Sequence, residues 1–293
     1  MPDLLNPETP AGAYDAFLPD ALDRAASHRS WGPTDGPLPA IYLSHGAPPL
    51  FDDADWIRRL FDWAQAMPKP KAIMIVSAHW EDAPLSLSAP AAGTPLVYDF
   101  GGFHPRYYQM RYDTPDASGL AARLAAMMPD SEPIHHHPSR GLDHGAWVPL
   151  MAMYPLADIP VLQMSMPTHD PQRLLALGRR LAPLRDEGIL VVGSGFMVHG
   201  LPHMTRDMMF HGAVPNWSSD FDAWATDALA RGDIDELTSY ANRAPGMPYA
   251  HPTPEHFLPI FVTLGTAENP EQPARTVIDG YMAGLAKRSF ELL

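Results

Sequence analysis

Residues 188–199 read Gly188-Ile189-Leu190-Val191-Val192-Gly193-Ser194-Gly195-Phe196-Met197-Val198-His199. Four consecutive aliphatic residues without alternation suit a strand covered on both faces, as in a parallel sheet between two helical layers. Upstream, Pro171–Asp186 has apolar residues three and four apart, the spacing of an amphipathic helix, and Gly188 supplies its stop. The same grammar extends outward in both directions. It predicts strands at Ala40–Leu43, Ala72–Ser77, Val161–Ser165 and Ile189–Gly193. It predicts helices at Asp55–Ala66, Gly119–Met128, Gly145–Tyr154, Pro171–Asp186, Ser219–Arg231 and Pro254–Leu264. The expected fold class is α/β, with a mixed, mostly parallel central sheet flanked by helices. Residues 1–38 lack periodicity and are expected to form an N-terminal arm with one short helix near Tyr14–Ser27, leaving 39–293 as a single catalytic α/β domain.

Composition narrows the chemistry. The 293 residues include 14 histidines and no cysteine, and the net charge is −14. Disulfides, iron–sulfur clusters, thiolate nucleophiles and cysteine-held zinc are therefore excluded, and a metal must be held by imidazole or oxygen. The few cations form no basic stripe, which argues against nucleic acid. No run approaches the roughly 20 apolar residues of a membrane span, and Met1-Pro2-Asp3 does not open a signal peptide, so the expected location is cytoplasmic. The 34 prolines are spread along the chain and read as fixed loops.

The histidines are sorted by position. His45 follows Ala40–Leu43, His79 follows Ala72–Ser77, and His199 follows Ile189–Gly193 across a short loop. Ligands of open α/β sheets bind beyond the carboxyl ends of the strands, so these three can converge on one mouth. A fourth candidate, His256, lies in Ala250-His251-Pro252-Thr253-Pro254-Glu255-His256-Phe257. There Thr253 as N-cap and Pro254 at the first helical position predict a helix start with His256 in its first turn. The unpaired N–H groups of that turn favour a neutral imidazole and hence a metal ligand. His251 reads equally as a backbone-bonded loop residue or as a functional one, and Glu255 is the only carboxylate of the motif. His144, beside Asp143, stands at a loop-to-helix junction that suits a substrate donor or, slightly better, a capping pair. The run His135-His136-His137 is expected in an exposed loop, and His28, His104, His169, His203 and His211 as loop residues.

Other chemistries lack their motifs. Val192 stands where a G-x-S-x-G elbow around Ser194 needs glycine, and neither a phosphate loop, a dinucleotide fingerprint nor H-E-x-x-H occurs. What remains is a histidine-rich metal site on an α/β sheet, with Tyr98-Asp99-Phe100-Gly101-Gly102-Phe103 as a wall or as ordinary packing.

Six ordered blocks carry a resemblance. They are Ser44-His45-Gly46-Ala47-Pro48, Ser77-Ala78-His79-Trp80, Asp99-Phe100-Gly101-Gly102-Phe103, Asp143-His144-Gly145-Ala146-Trp147, Gly193-Ser194-Gly195 with His199, and Pro252-Thr253-Pro254-Glu255-His256. Together they resemble the class III extradiol ring-cleavage dioxygenases, in the LigB-like branch related to DOPA 4,5-dioxygenase. The resemblance implies a divalent metal on His45, His79 and His256, with His199 as acid/base residue and His144 behind the ligands or against substrate. The fold it implies is an α/β sandwich with the site at one edge of the sheet. Two departures stand out: Phe103-His104-Pro105 carries an extra imidazole, and the arm before Pro39 is long.

The activity implied is cleavage of a catechol-type diol by O₂ at mononuclear Fe(II), giving a muconic semialdehyde-type product, with His199 taking and returning a proton. A third imidazole in place of the usual facial-triad carboxylate leaves a more positive site. Imidazole ligation also suits Zn(II), so two alternatives stand beside it. One is a zinc-dependent hydrolase with His199 or Glu255 as base; the other is a non-enzymatic metal-binding protein. The expected partners are a small aromatic diol and O₂, without nucleic acid or membrane and with room for a homo-oligomer. Arg106, Arg111 and Arg140 are candidates for anchoring a substrate carboxylate or for ordinary ion pairs.

Overall fold

The computed structural model describes residues 7–81 and 83–293. Its helices are α1 (Gly12–Ala26), α2 (Ala54–Ala66), α3 (Ser118–Met127), α4 (His144–Met153), α5 (Pro171–Leu181), α6 (Arg206–His211), α7 (Asn216–Arg231), α8 (Ile234–Thr238), α9 (Tyr240–Arg243) and α10 (Pro259–Thr266). The strands are β1 (Ala40–Ser44), β2 (Ala72–Ser77), β3 (Ser86–Leu87), β4 (His135–His136), β5 (Val161–Met164), β6 (Ile189–Gly195), β7 (Arg275–Ile278), β8 (Tyr281–Met282), β9 (Leu285–Ala286) and β10 (Ser289–Leu292). No helix among the described residues is long and apolar enough to cross a membrane.

Eight strands form one sheet in the order β4-β3-β5-β2-β6-β1-β10-β7, and β8 pairs with β9. The central β5, β2, β6 and β1 are parallel, as their unbroken aliphatic content requires. The chain closes one flank with β10, antiparallel to β1, and β7, antiparallel to β10. On the other flank β3 is antiparallel to β5 and parallel to β4.

Side-chain alternation shows that both faces are covered. A Cβ on Gly193 would strike Thr263 Oγ1 and the Pro259 carbonyl of α10, whereas the next residue, Ser194, donates to the Gly145 carbonyl of α4 at 2.5 Å. Consecutive strand residues point to opposite faces, so α10 and α4 lie on opposite sides of β6. Beyond α4 stand α2, whose buried face includes Trp56, Ile57, Leu60 and Trp63, and then α1, where Tyr14 packs edge-on against Phe51.

Four expectations need correction here. The helix beginning at Pro171 is α-helical only to Leu181 and continues to Glu187 as a 3-10 turn, because Pro183 removes the N–H that the α pattern needs. The helix expected from Pro254 begins at Pro259; residues 254–258 form turns, and the Thr253 hydroxyl donates to Glu255. The expected exposed loop of three histidines contains an edge strand, His135–His136, exposed and paired to β3; His211 closes α6 and is not in a loop.

On the outer side of α10, Gly178 and Gly265 let it meet α5 at backbone distance, since a Cβ on either would stand 2.3 Å from a carbonyl of the partner helix. Gly178→Ala is expected to force these helices apart and cost about 1–3 kcal/mol. The measurement is the urea midpoint, and an unchanged midpoint would show that the interface has room.

Candidate metal centre

The carboxyl ends of β1, β2 and β6 open at the same edge, and there the chain turns sharply. His45 follows the last residue of β1, with its N–H held by the Gly195 carbonyl at 2.9 Å. Gly46, at φ 66°, then redirects the chain in a left-handed conformation, and a Cβ there would also collide with Trp56. His79 lies two residues past β2, its N–H donating to Ser77 Oγ at 3.1 Å. His256 arrives from the far side in the turn before α10, its carbonyl accepting from Tyr42 Oη (3.1 Å) and Phe196 N (2.9 Å).

These three imidazoles meet. His79 Nε2 is 3.1 Å from His45 Nε2 and 3.2 Å from His256 Nε2, and one nitrogen of each lies within 4.8 Å of the others. Each ring has an acceptor behind it. Ser194 Oγ, whose hydrogen goes to the Gly145 carbonyl, accepts from His45 Nδ1 at 3.0 Å. Asp99 Oδ2 stands 3.3 Å from His79 Nδ1, and Glu255 Oε1 accepts from His256 Nδ1 at 2.9 Å. Acceptors on the Nδ1 side put the proton there and leave the Nε2 lone pairs facing inward. Burial pushes His45 and His256 well below the ordinary histidine range; for His79, burial and neighbouring His144 give about 3.

The separations can be tested against a metal. Two imidazole nitrogens bound at about 2.1 Å to one ion stand about 3.0 Å apart at a right angle and about 3.4 Å apart in a tetrahedron. The two separations from His79, 3.1 and 3.2 Å, lie between, so each of these pairs fits a shared first-row divalent ion, with all three nitrogens within 4.8 Å of one another.

The remaining candidates surround this triangle. His144 opens α4, with its ring centroid 3.9 Å from that of His79, and Phe100 lies edge-on to it at 5.6 Å. The expected Asp143 cap is absent: the carboxylate turns inward, accepting from Ser77 Oγ at 2.9 Å and from Gln163 Nε2, with Arg140 Nη2 at 3.3 Å. Asp99 takes its place at the start of α4, accepting from His144 N at 3.1 Å and from His144 Nδ1 at 2.7 Å. His199 stacks on His256 with centroids 3.3 Å apart and planes 12° apart, and its ring nitrogens have no hydrogen-bond partner among the described residues. Burial, with His251 and His79 nearby, brings its pKa down to about 3.

Comparisons with known proteins give the family. Residues 38–282 match the family described as the catalytic LigB subunit of aromatic ring-opening dioxygenase. The chain belongs to the LigB family. This makes it an enzyme of the class III extradiol dioxygenases, which are metal-dependent. A protein of Beta vulgaris named 4,5-DOPA dioxygenase extradiol is 40% identical over 80% of this chain and 89% of its own. One of the same name from Escherichia coli K12 is 34% identical over 84% and 91%. The crystal structure of an uncharacterized protein of Escherichia coli K12 superposes with a TM-score of 0.72 at 30% identity, covering 87% of this chain and all of that one.

Within this LigB chain, several neighbours of the site were not singled out by sequence. Ser194 and Asp99 are small or loop-borne groups without periodic signal, and Gly145 gives itself away only in space. A Cβ on Gly145 would lie 2.4 Å from Ser77 Oγ and 3.2 Å from both His45 and His79. His251 is buried outside the triangle, donating through Nε2 to the Met197 carbonyl at 2.9 Å and packed against Phe221 and Phe257. The extra His104 caps the turn at 105–109 by accepting from Arg106 N at 3.2 Å. Among the arginines, Arg106 pairs with Asp15 at 2.5 Å, Arg111 lies over Tyr98, and Arg140 is held between Asp143 and Trp80.

The buried imidazoles link stability to pH. Burial lowers His251 to about 4 as well, so five histidines hold fewer protons folded than unfolded below their usual pKa of about 6.5. Their contribution is complete above pH 6.5 and is lost as pH falls towards the folded values. The urea midpoint of metal-stripped protein should therefore drop between pH 6.5 and 5, above the range where carboxylates titrate. A flat profile there would mean that the imidazoles are already charged in the fold.

Proposed function

We propose that this LigB enzyme opens the ring of a small catechol-type diol beside its two hydroxyls, adding both atoms of O₂ to give a muconic semialdehyde-type product. His45, His79 and His256 hold a mononuclear non-haem Fe(II) in this reading. The observation that carries it is the convergence of three Nε2 lone pairs, each backed by an acceptor on Nδ1, within a family of aromatic ring-opening dioxygenases. The relatives named 4,5-DOPA dioxygenase extradiol support a DOPA-like catechol as the first substrate to try.

A ferrous ion, when bound, supplies the electronic link that closed-shell catechol and dioxygen lack. The protein's own work is orientation and proton handling. His199, neutral and stacked on His256, takes a proton from the second hydroxyl and returns it as the ring opens. His144, held by Asp99, and Phe100 wall the adjacent side of the site. Zinc suits the same nitrogens but cannot exchange electrons, which separates this reading from a zinc hydrolase.

Anaerobic reconstitution with Fe(II) followed by oxygen uptake on a panel of catechols, DOPA included, tests the proposal. Uptake with iron and none with zinc is the expected result. Stoichiometric iron without uptake on any catechol would sink it, and ester or amide hydrolysis by the zinc form would favour the hydrolase. His199→Ala should retain iron and lose about 10²–10⁴ in kcat. Activity close to wild type would remove His199 from proton transfer.

A further inference from the structure

We propose that Asp99 is a positioning residue that decides which nitrogen of His79 faces the ion site, through one carboxylate shared with His144. The inference rests on the metal reading above and concerns how the protein keeps one ligand competent. Asp99 belongs to neither a strand nor a helix; it sits in a loop fixed by the Tyr98 hydroxyl on the Met110 carbonyl at 2.6 Å and by Phe100 against Trp147. Its Oδ1 receives the His144 backbone N–H and His144 Nδ1, and its Oδ2 is 3.3 Å from His79 Nδ1.

Three nitrogens thus face one carboxylate, and only an ionised carboxylate offers acceptors on both sides. The backbone N–H of His144 can only donate, so the oxygen facing it must remain an oxygen. An asparagine at 99 is therefore forced into one orientation, with its carbonyl toward His144 and its NH₂ toward His79. That NH₂ donates to His79 Nδ1, moves the ring proton to Nε2, and blocks the lone pair that the ion needs. Alanine imposes no such preference, although it strips α4 of its cap. The isosteric change is consequently worse for metal than the truncation, the reverse of what a purely structural role would give.

The experiment compares wild type, Asp99→Asn and Asp99→Ala. Each is stripped of metal and titrated with Zn²⁺ against a chromophoric chelator, and its visible spectrum with Co²⁺ and its metal-free thermal midpoint are recorded. Asp99→Asn should bind zinc about 10–100-fold more weakly than wild type. It should also bind more weakly than Asp99→Ala and show an altered cobalt spectrum, while melting closer to wild type than Asp99→Ala does. Zinc affinity equal to wild type, or tighter than that of Asp99→Ala, would overturn the role given to Asp99. If wild type itself takes up neither zinc nor cobalt, the metal reading falls and this inference with it; wild-type binding with an unaffected Asn variant removes only the inference.

Discussion

Three imidazole lone pairs, with that of His79 only 3.1 and 3.2 Å from those of His45 and His256, repel one another in a largely buried site, so nothing local makes this arrangement favourable. It exists because two of the rings are hydrogen-bonded from behind and the third has a carboxylate at its back. Ser194 on β6 secures His45, Asp99 on its loop faces His79, and Glu255 beside His256 secures the third. The rest of the molecule can be understood as the frame that keeps those acceptors in register. Parallel β1, β2 and β6 end at a common edge, and α10 with α4 clamps β6 from opposite faces.

Close approach is the second requirement, and glycine supplies it. Gly145 lets the start of α4 lie against His45 and His79, Gly193 lets α10 meet β6, and Gly195 admits the His256 carbonyl, which a Cβ would meet at 2.1 Å. The apolar weight around them is ordinary α/β packing, with Trp147, Phe257 and Phe261 fully buried. The carboxylate missing from the ligand triangle has not left the site. Asp99 and Glu255 stand behind His79 and His256, so in the proposed ligation the charge of a divalent ion would be balanced through the imidazole rings.

Much of the frame is legible in sequence because it depends on periodicity. The aliphatic runs at Ala72–Ser77 and Ile189–Gly195 announce buried parallel strands, and a histidine just beyond each strand is a positional signal that needs no structure. The flanking strands carry no such signal. Arg275–Ile278 is half exposed, and β10 lies in Lys287-Arg288-Ser289-Phe290-Glu291-Leu292, whose charges are met by distant partners such as Asp53, Asp222 and Trp63. Thr253-Pro254 imitates a helix start, but Pro259 begins the helix, so His256 was legible as a residue and misread as a helical position. Asp99 was quoted for the aromatic rings beside it, since a loop carboxylate meets its histidines only in three dimensions.

The separation of the ligands along the chain bears on how the protein comes to be active. His45 and His79 are 34 residues apart, while His79 and His256 are 177 apart, and the strand that delivers His45 is flanked by β6 and β10 from much later in the sequence. Closing such long loops is slow, and the contacts that reward closure form late. In the proposed ligation an ion would meet all three histidines only once these distant segments have joined, unlike one that nucleates a short zinc-binding loop. It would add its stabilisation to the finished fold, by mass action on the native state. With those ligands, metal acquisition would be the last act of maturation, and scarcity of metal would leave folded, idle enzyme in place of misfolded chains.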